Sequence, residues 1–367
     1  MPTPIVPDSV EELTAQWLSE ALSTDREPLV VDTVTRRPVE LGSGFLSTMA
    51  RLDLTYSGRP GPASVIVKLP ADDFGARQVG ELLNVWAREA RFYDELVTHL
   101  DADVDVPECW YAAVDGQRGV VVIEDLSHGN VVEQVGGASE HDAHTVVDAL
   151  ARLQARWWGS RRGDLPEWVT GIHRDGTGVG LAASMERNFD AFDARYGEVL
   201  PTESMGWTRA FIPRVPAWLS GLNERPTTLA HADLHLGNLV FGTGADRPSV
   251  CIVDWQTAMV TGGVTDLSFF LGTALPSDVR RAVEGALVDR YIEQLERHGV
   301  PSHELTSVRE DYATSYLWWT SMLSNNLAHL EPPDETTARQ LSSMVERLHA
   351  AAVDLDSHER AMRQLAD

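Results

Sequence analysis

The chain has 367 residues, of which 43% are hydrophobic and 23% are charged, a composition that is typical of globular proteins and excludes a disordered chain. Thirty basic and fifty-five acidic residues give a formal net charge of −25. Nucleic acid and anionic membranes are therefore not expected as partners, because their phosphates would be repelled. The two cysteines, Cys109 and Cys251, form no Cys-x-x-Cys pair, which excludes a disulfide framework and a cysteine-rich zinc site.

The sequence shows no signal-peptide pattern at its start. It also has no apolar run near the ~18 residues that a membrane-spanning helix needs. We therefore predict a cytoplasmic protein, as a monomer or a homodimer.

The first third of the chain predicts a small antiparallel sheet that carries one long helix. Ser9-Val-Glu-Glu12 has the form of a capping box and predicts an amphipathic helix over residues 9–22. A second, longer helix is expected over residues 76–100. Alternating apolar residues and turn signals predict strands over residues 29–39, 48–56, 63–69, 109–114 and 119–123.

Helical periodicity replaces β-like alternation after residue 125. A helix is expected over residues 141–158, and the remaining chain is mainly helical except for short strands at 239–241 and 250–254. We therefore predict an α+β fold with two lobes, residues 1–125 and residues 126–367.

The strongest local signal is His231-Ala-Asp-Leu-His-Leu-Gly-Asn238, which directly precedes a predicted strand. Asp233 is suited to accept a hydrogen bond from a substrate hydroxyl and to take its proton. The side-chain oxygen of Asn238 is suited to a magnesium ion. The next strand ends at Asp254, and a turn folds the two strands together, so Asn238 and Asp254 are expected to share a hard cation. Each acid alone is more often a cap or turn residue, but the combined spacing indicates phosphoryl transfer.

Phosphoryl transfer also requires a cover for the phosphates and a cation on them. Gly42-Ser43-Gly44 lies between two predicted strands, where a hairpin can offer backbone N–H groups, although most such segments are plain turns. Ser43 and Ser47 can add hydroxyl donors. Lys68 ends an apolar strand, and a buried ammonium needs a partner, for which Glu89 on the next helix is the best candidate. The alternative is a solvent-exposed lysine on an edge strand.

These motifs resemble those of the aminoglycoside phosphotransferase and choline kinase group of kinase-like enzymes. His-Ala-Asp-Leu-His-Leu-Gly-Asn followed by Ile-Val-Asp-Trp carries the resemblance. Glu89-x-x-Phe-Tyr93 and Ile123-Glu-Asp-Leu126 are similar to its ecdysteroid-kinase-like branch. The resemblance implies a bilobal protein-kinase-like fold that uses ATP and Mg²⁺. It also implies transfer of the γ-phosphate to a hydroxyl of an aminoglycoside-, sterol- or amino-alcohol-like molecule.

The resemblance further implies a role for each matching residue. Lys68 would hold the α- and β-phosphates and pair with Glu89, and Asp233 would be the catalytic base. The other implied roles are a hinge that receives adenine at Glu124, Asp125 and Leu126, magnesium ligands at Asn238 and Asp254, and a brace for the catalytic loop at Asp266.

Two residues depart from the family pattern. Ala232 stands where the family commonly has Gly. The helix after the hinge often carries a Leu-His-Ala step in the family, and here Gln154 replaces the His. Neither is expected to touch the reacting groups. His231 is expected to orient the loop rather than bind a metal, and His235 is open between loop support and substrate contact.

Two other functions stay open. One is a nucleotide-binding pseudokinase that acts as a regulatory module. The other is a dinuclear metallophosphoesterase built on the His/Asp cluster, which would leave Gly42–Gly44, Lys68 and Glu89 unexplained. The acceptor and the preference for ATP or GTP are not determined by these motifs.

Overall fold

The computed structural model describes residues 6–24, 27–39, 46–100, 104–159, 163, 165–172, 176–242 and 249–366. Gly42-Ser43-Gly44 lies outside these residues. The chain forms two units, and each is described by itself. One comprises Met1–Val131 and Val240–Ala258, and the other comprises Val132–Leu239 and Met259–Asp367. The division into an ATP-binding lobe and a catalytic lobe after residue 125 stays a prediction.

The first unit is built on a five-stranded antiparallel sheet with the order β1-β2-β3-β5-β4. Its strands are β1 (Val31–Arg37), β2 (Ser47–Tyr56), β3 (Ser64–Pro70), β4 (Cys109–Asp115) and β5 (Arg118–Glu124). Lys68 lies on the central strand β3, where it pairs with Met49 of β2 and Val121 of β5. The edge-strand alternative for Lys68 is therefore wrong.

The predicted helix over residues 9–22 is interrupted. A 3₁₀ turn over Val10–Glu12 is followed by α1 (Ala15–Leu22). The N-cap is Thr14, whose Oγ1 accepts a hydrogen bond from the backbone N–H of Trp17 at 3.2 Å, whereas Ser9 makes no capping bond. The prediction failed because Ser9-Val-Glu-Glu12 and the Thr14 cap compete for the same helix start, and the second one is used.

The predicted helix over residues 76–100 is also broken. It consists of α2 (Phe74–Leu83) and α3 (Val85–Arg91), separated by Asn84 with a φ of +54°. A π turn over Phe92–Leu96 and a 3₁₀ turn then end the segment. Asparagine tolerates the left-handed conformation better than most residues, so Asn84 permits a break that the apolar periodicity does not reveal.

The first unit also contains a small two-stranded sheet of β7 (Leu239–Phe241) and β8 (Val250–Ile252). Val240 and Cys251 pack there against Leu126. The strand β8 is shorter than the predicted 250–254, because Asp254 adopts a left-handed conformation with a φ of +67° and starts a 3₁₀ turn.

The second unit is mainly helical. A short antiparallel pair, β6 (Thr227–Ala230) and β9 (Met259–Gly262), frames its loops. Its helices are α4 (Glu140–Ala155), α5 (Thr177–Tyr196), α6 (Thr202–Phe211), α7 (Val215–Gly221), α8 (Val264–Ala274), α9 (Ser277–Arg297), α10 (Val308–Asn326), α11 (Glu335–Asp354) and α12 (Ser357–Gln364). Every residue of α8 is buried, and α10 and α11 pack on it. Thus α8 is the centre of this unit.

None of the helices in the described part of the chain combines the length and the apolar character that crossing a bilayer requires.

Candidate active site

Lys68 lies between two carboxylates in the first unit. Its Nζ is 2.7 Å from Oε1 of Glu89 and 2.8 Å from Oδ1 of Asp254. The side chains of Lys68 and Glu89 are 7% and 3% exposed, and that of Asp254 is 18% exposed. Helix α3 positions Glu89, and the aromatic ring of Phe92 stacks on Trp255 with centroids 3.9 Å apart. This stack fixes the turn that carries Asp254 against the end of α3.

The electrostatics of this group follow from its burial. Burial alone would lower the pKa of the Lys68 ammonium, but the carboxylates of Asp254 and Glu89 outweigh it and raise that pKa. Burial raises the pKa of Glu89, and the charge of Lys68 offsets this only in part. Two carboxylates therefore share one ammonium, and the group favours an additional positive charge.

Sequence reasoning proposed Glu89 as the partner of Lys68 but missed the contact between Lys68 and Asp254. The two residues are 186 positions apart. The motif around Asp254 indicated only a cation ligand, and no local pattern in the sequence joins it to β3.

The loop from His231 to Asn238 lies in the second unit, directly after β6, and Asp266 of α8 holds its backbone. The backbone N–H groups of His231 and Ala232 donate to Oδ2 and Oδ1 of Asp266, each at 2.8 Å. Ala232 adopts a left-handed conformation with a φ of +64°. Asp266 is fully buried. Its burial raises the pKa of the carboxyl group, and the nearby His231 and the two N–H donors act in the opposite direction.

The side chains of the loop also bind its own backbone. Nδ1 of His231 accepts a hydrogen bond from the N–H of Asp233 at 3.3 Å, and Nδ1 of His235 accepts one from Gly237 at 3.0 Å. The side-chain nitrogen of Asn238 donates to the carbonyl of Asp233 at 2.9 Å. In contrast, the carboxylate of Asp233 is 38% exposed. The loop is thus internally fixed, and it presents one accessible carboxylate.

Of the predicted nucleotide-binding residues, Asp125 has a carboxylate that is bound within the sheet of the first unit. It accepts hydrogen bonds from Nε of Arg51 and Oγ of Ser64, both at 2.7 Å. Burial would raise the pKa of Asp125, but the bonds from Ser64 and Ser127 and the charge of Arg51 lower it. The side chain of Asp125 is therefore already engaged, and its backbone is the part that is suited to bind a base.

Ser47, at the start of β2, has a buried hydroxyl without a hydrogen-bond partner among the described residues. A buried hydroxyl of this kind favours a ligand that can supply the missing bond. Ser47 follows the predicted phosphate-covering segment, Gly42-Ser43-Gly44, by three residues in the sequence. Its hydroxyl therefore fits an anionic group of a bound nucleotide.

Comparisons with known proteins identify the family to which the chain belongs. The sequence matches the model of the phosphotransferase enzyme family over residues 57–303. No curated protein sequence matches the chain significantly.

Two solved structures show the same fold. Choline kinase from Cryptosporidium parvum Iowa II has a TM-score of 0.51 at 11% identity, over 91% of this chain and 93% of that protein. The GDP complex of wild-type aminoglycoside 2′-phosphotransferase-IIIa has a TM-score of 0.51 at 14% identity, over 88% of this chain and 93% of that protein. The prediction of a protein-kinase-like α+β fold is thereby confirmed. The chain belongs to the phosphotransferase enzyme family and is a small-molecule kinase.

Proposed function

We propose that this kinase transfers the γ-phosphate of ATP, with magnesium, to a hydroxyl group of a small molecule. The observation that carries the proposal is the loop of the second unit, in which Asp266 holds the backbone while the Asp233 carboxylate stays accessible. A carboxylate placed in this way can accept the hydrogen bond of an incoming hydroxyl and take its proton as the new P–O bond forms.

Lys68 and Glu89 form the proposed phosphate-binding pair. The ammonium would contact phosphate oxygens, and Glu89 would keep it in place on β3. Because Glu89 and Asp254 share a single ammonium, the group tolerates a further cation. This excess of carboxylate supports the assignment of magnesium to the site.

Asp254 and Asn238 are the proposed magnesium ligands. Asp254 offers a carboxylate, and Asn238 offers its side-chain oxygen because its side-chain nitrogen already donates to the carbonyl of Asp233. Both are oxygen donors of the kind that magnesium prefers. The ion, when bound, would neutralise charge on the phosphate oxygens.

The remaining nucleotide contacts are assigned to the first unit. Gly42, Ser43 and Gly44 are proposed to cover the phosphates. The Ser47 hydroxyl, which has no partner among the residues that the structure describes, supports a phosphate at this point. The backbone of Glu124, Asp125 and Leu126 is proposed to receive the adenine base.

The test is phosphate transfer from labelled ATP to a panel of aminoglycosides, macrolides, sterols, amino alcohols and sugars. We expect magnesium-dependent transfer to at least one class, and a loss of about 10²- to 10⁴-fold in kcat for Asp233→Asn. Asp278→Asn, an exposed acid at the start of α9, is the matched control and should keep wild-type turnover. Nucleotide affinity should be unchanged in both variants.

Two outcomes would contradict the proposal. Tight nucleotide binding without transfer to any member of the panel would identify a pseudokinase. Equal turnover in wild type and Asp233→Asn would remove the assigned base.

A further inference from the structure

Gln154 is a fully buried polar residue at the end of α4, and it contacts the carboxylate that holds the catalytic loop. Its Nε2 donates to Oδ2 of Asp266 at 3.2 Å. That same oxygen accepts the backbone N–H of His231. The Asp266 carboxylate thus receives three N–H donors, two from the loop backbone and one from the Gln154 side chain.

Tyr291 of α9 fixes the orientation of the Gln154 amide. The Tyr291 hydroxyl donates to Oε1 of Gln154 and lies 3.0 Å from the carbonyl of Gly263, immediately before α8. A hydroxyl donor on one side and a carboxylate acceptor on the other define which amide atom faces which neighbour. Tyr291 is fully buried as well, so solvent does not compete for these bonds.

The chemistry of the amide suits this position. Asp266 is buried beside Asp233, whose negative charge disfavours a second carboxylate, while His231 favours it. A neutral N–H donor stabilises the ionised carboxylate without adding a charge that must itself be compensated. Thr228 of β6, three residues before His231, also donates to the backbone carbonyl of Gln154 at 2.7 Å. The end of α4 is therefore joined to both the strand before the loop and the residue that holds the loop.

We propose that Gln154, oriented by Tyr291, is a positioning residue for transfer: its N–H bond keeps the Asp266 carboxylate bidentate on the loop, and so fixes the backbone that carries Asp233. Gln154 touches neither nucleotide nor acceptor. The inference rests on the proposed function for its kinetic consequences, but its structural consequence, the protection of the loop amides, is independent of turnover.

The experiment combines amide hydrogen exchange with kinetics for Gln154→Glu, Gln154→Leu and Tyr291→Phe. Faster exchange of the His231 and Ala232 amides is expected in all three variants. We also expect kcat to fall by roughly 10- to 100-fold in the Gln154 variants with little change in KM, since small misplacement of a catalytic group has effects of this size. Gln134→Leu is the matched control, because Gln134 is a buried glutamine that donates to the Thr273 carbonyl at the other end of α8. It should leave both readouts unchanged.

The pH dependence of Gln154→Glu separates positioning from general damage to the fold. The carboxyl group that this substitution introduces can donate to Asp266 when it is protonated, whereas it repels Asp266 when it is ionised. The groups that face Asp266 are His231 and Asp233 from the loop, Gln154 from α4 and Tyr291 from α9. The ratio of wild-type to variant kcat should therefore rise with pH.

The outcomes are distinct. Unchanged loop-amide exchange in Gln154→Glu and Tyr291→Phe, or a kcat ratio that is constant with pH, would overturn the positioning role. Absence of transfer by the wild-type protein, with loop amides that lose protection in the variants, would overturn the proposed function and leave the positioning inference supported.

Discussion

The two groups of candidate site residues are built in opposite ways. In the first unit, Lys68, Glu89 and Asp254 form a buried group of full charges, in which each depends on the others for compensation. In the second unit, the loop that carries Asp233 is held by backbone N–H groups and a neutral amide that converge on one carboxylate. The first arrangement is suited to bind a charged ligand. The second is suited to hold the Asp233 side chain in one orientation.

This difference predicts different modes of failure. Removal of the Lys68 charge from the first group leaves two carboxylates without compensation, and this affects stability and ligand binding together. Loss of one donor from the loop leaves the charges unchanged and alters geometry, which affects turnover more than binding.

Of the variants that compare the two groups, Lys68→Met should have the largest combined effect on activity and stability. It removes the ammonium between Glu89 and Asp254, so we expect transfer activity to fall by about 10²- to 10³-fold while the fold survives. Stability should also fall near neutral pH, because the two carboxylates face each other without compensation. Protonation raises stability again as the pH falls, since the pKa of Glu89 is already raised by burial. Urea unfolding and phosphate-transfer assays across pH measure both effects.

The double variant Lys68→Met/Glu89→Gln is the control for this prediction. Removal of one carboxylate should restore much of the lost stability without restoring activity. Wild-type activity in Lys68→Met would show that the ammonium has no part in transfer. Equal stability of the single and double variants would show that the two carboxylates do not repel each other.

A buried histidine provides a second test, of whether a site in the helical unit that has no charged partner among the described residues excludes a charge. His349 of α11 is fully buried, and its Nδ1 is 2.8 Å from Oγ of Ser204. Burial lowers the pKa of His349 from 6.5 to about 3. As the pH falls below 6.5 the unfolded chain takes up a proton that the folded state refuses, so the free energy of unfolding should decrease by about 1.4 kcal/mol per pH unit.

Urea unfolding of the wild type and of His349→Gln, at about pH 7 and about pH 5, checks this prediction. The variant should lose less stability over the interval, by about 2 kcal/mol. His141→Gln, an exposed histidine at the start of α4, is the matched control and should keep the wild-type pH dependence. Identical pH dependence in all three proteins would show that His349 titrates normally.

The sheet could be predicted from the sequence, because alternating apolar and polar residues indicate a strand with one buried face. All five predicted strands occur, with ends shifted by at most two residues. The helix interruptions were missed, since apolar periodicity continues on both sides of Asn84 and gives no sign of a left-handed residue. The Thr14 cap was not predicted, because the capping-box pattern at Ser9-Val-Glu-Glu12 indicated an earlier helix start.

The motif residues of the candidate site could be proposed from sequence, because Asp233, Asn238 and Asp254 stand in patterns with a chemical interpretation, and their roles stay predictions. Their partners were not. Asp254 contacts Lys68 across 186 positions, and Gln154 contacts Asp266 across 112. Gln154 was predicted not to touch the reacting groups, and its contact with the residue that holds the loop was not predicted. Contacts of this range depend on tertiary packing, which local patterns do not encode.

Ala232→Gly should have the smallest effect, and it tests whether Asp266 alone sets the loop conformation. Ala232 holds a φ of +64° while its N–H donates to Asp266. A Cβ in this region costs about 1 kcal/mol or more, and glycine avoids that cost at a smaller loss of about 0.5–1 kcal/mol from the freedom of the unfolded chain. The variant should therefore be slightly more stable, with unchanged kcat.

Ala230→Gly is the matched control, because Ala230 of β6 pairs with Met259 of β9 and does not adopt a left-handed conformation. There the same substitution should destabilise the protein by roughly 0.5–1 kcal/mol. Opposite signs in urea unfolding would locate the strain at residue 232. A loss of stability of equal size at both positions would show that residue 232 carries none, and a fall in kcat for Ala232→Gly alone would show that the loop needs the Ala232 side chain as well as the Asp266 bonds.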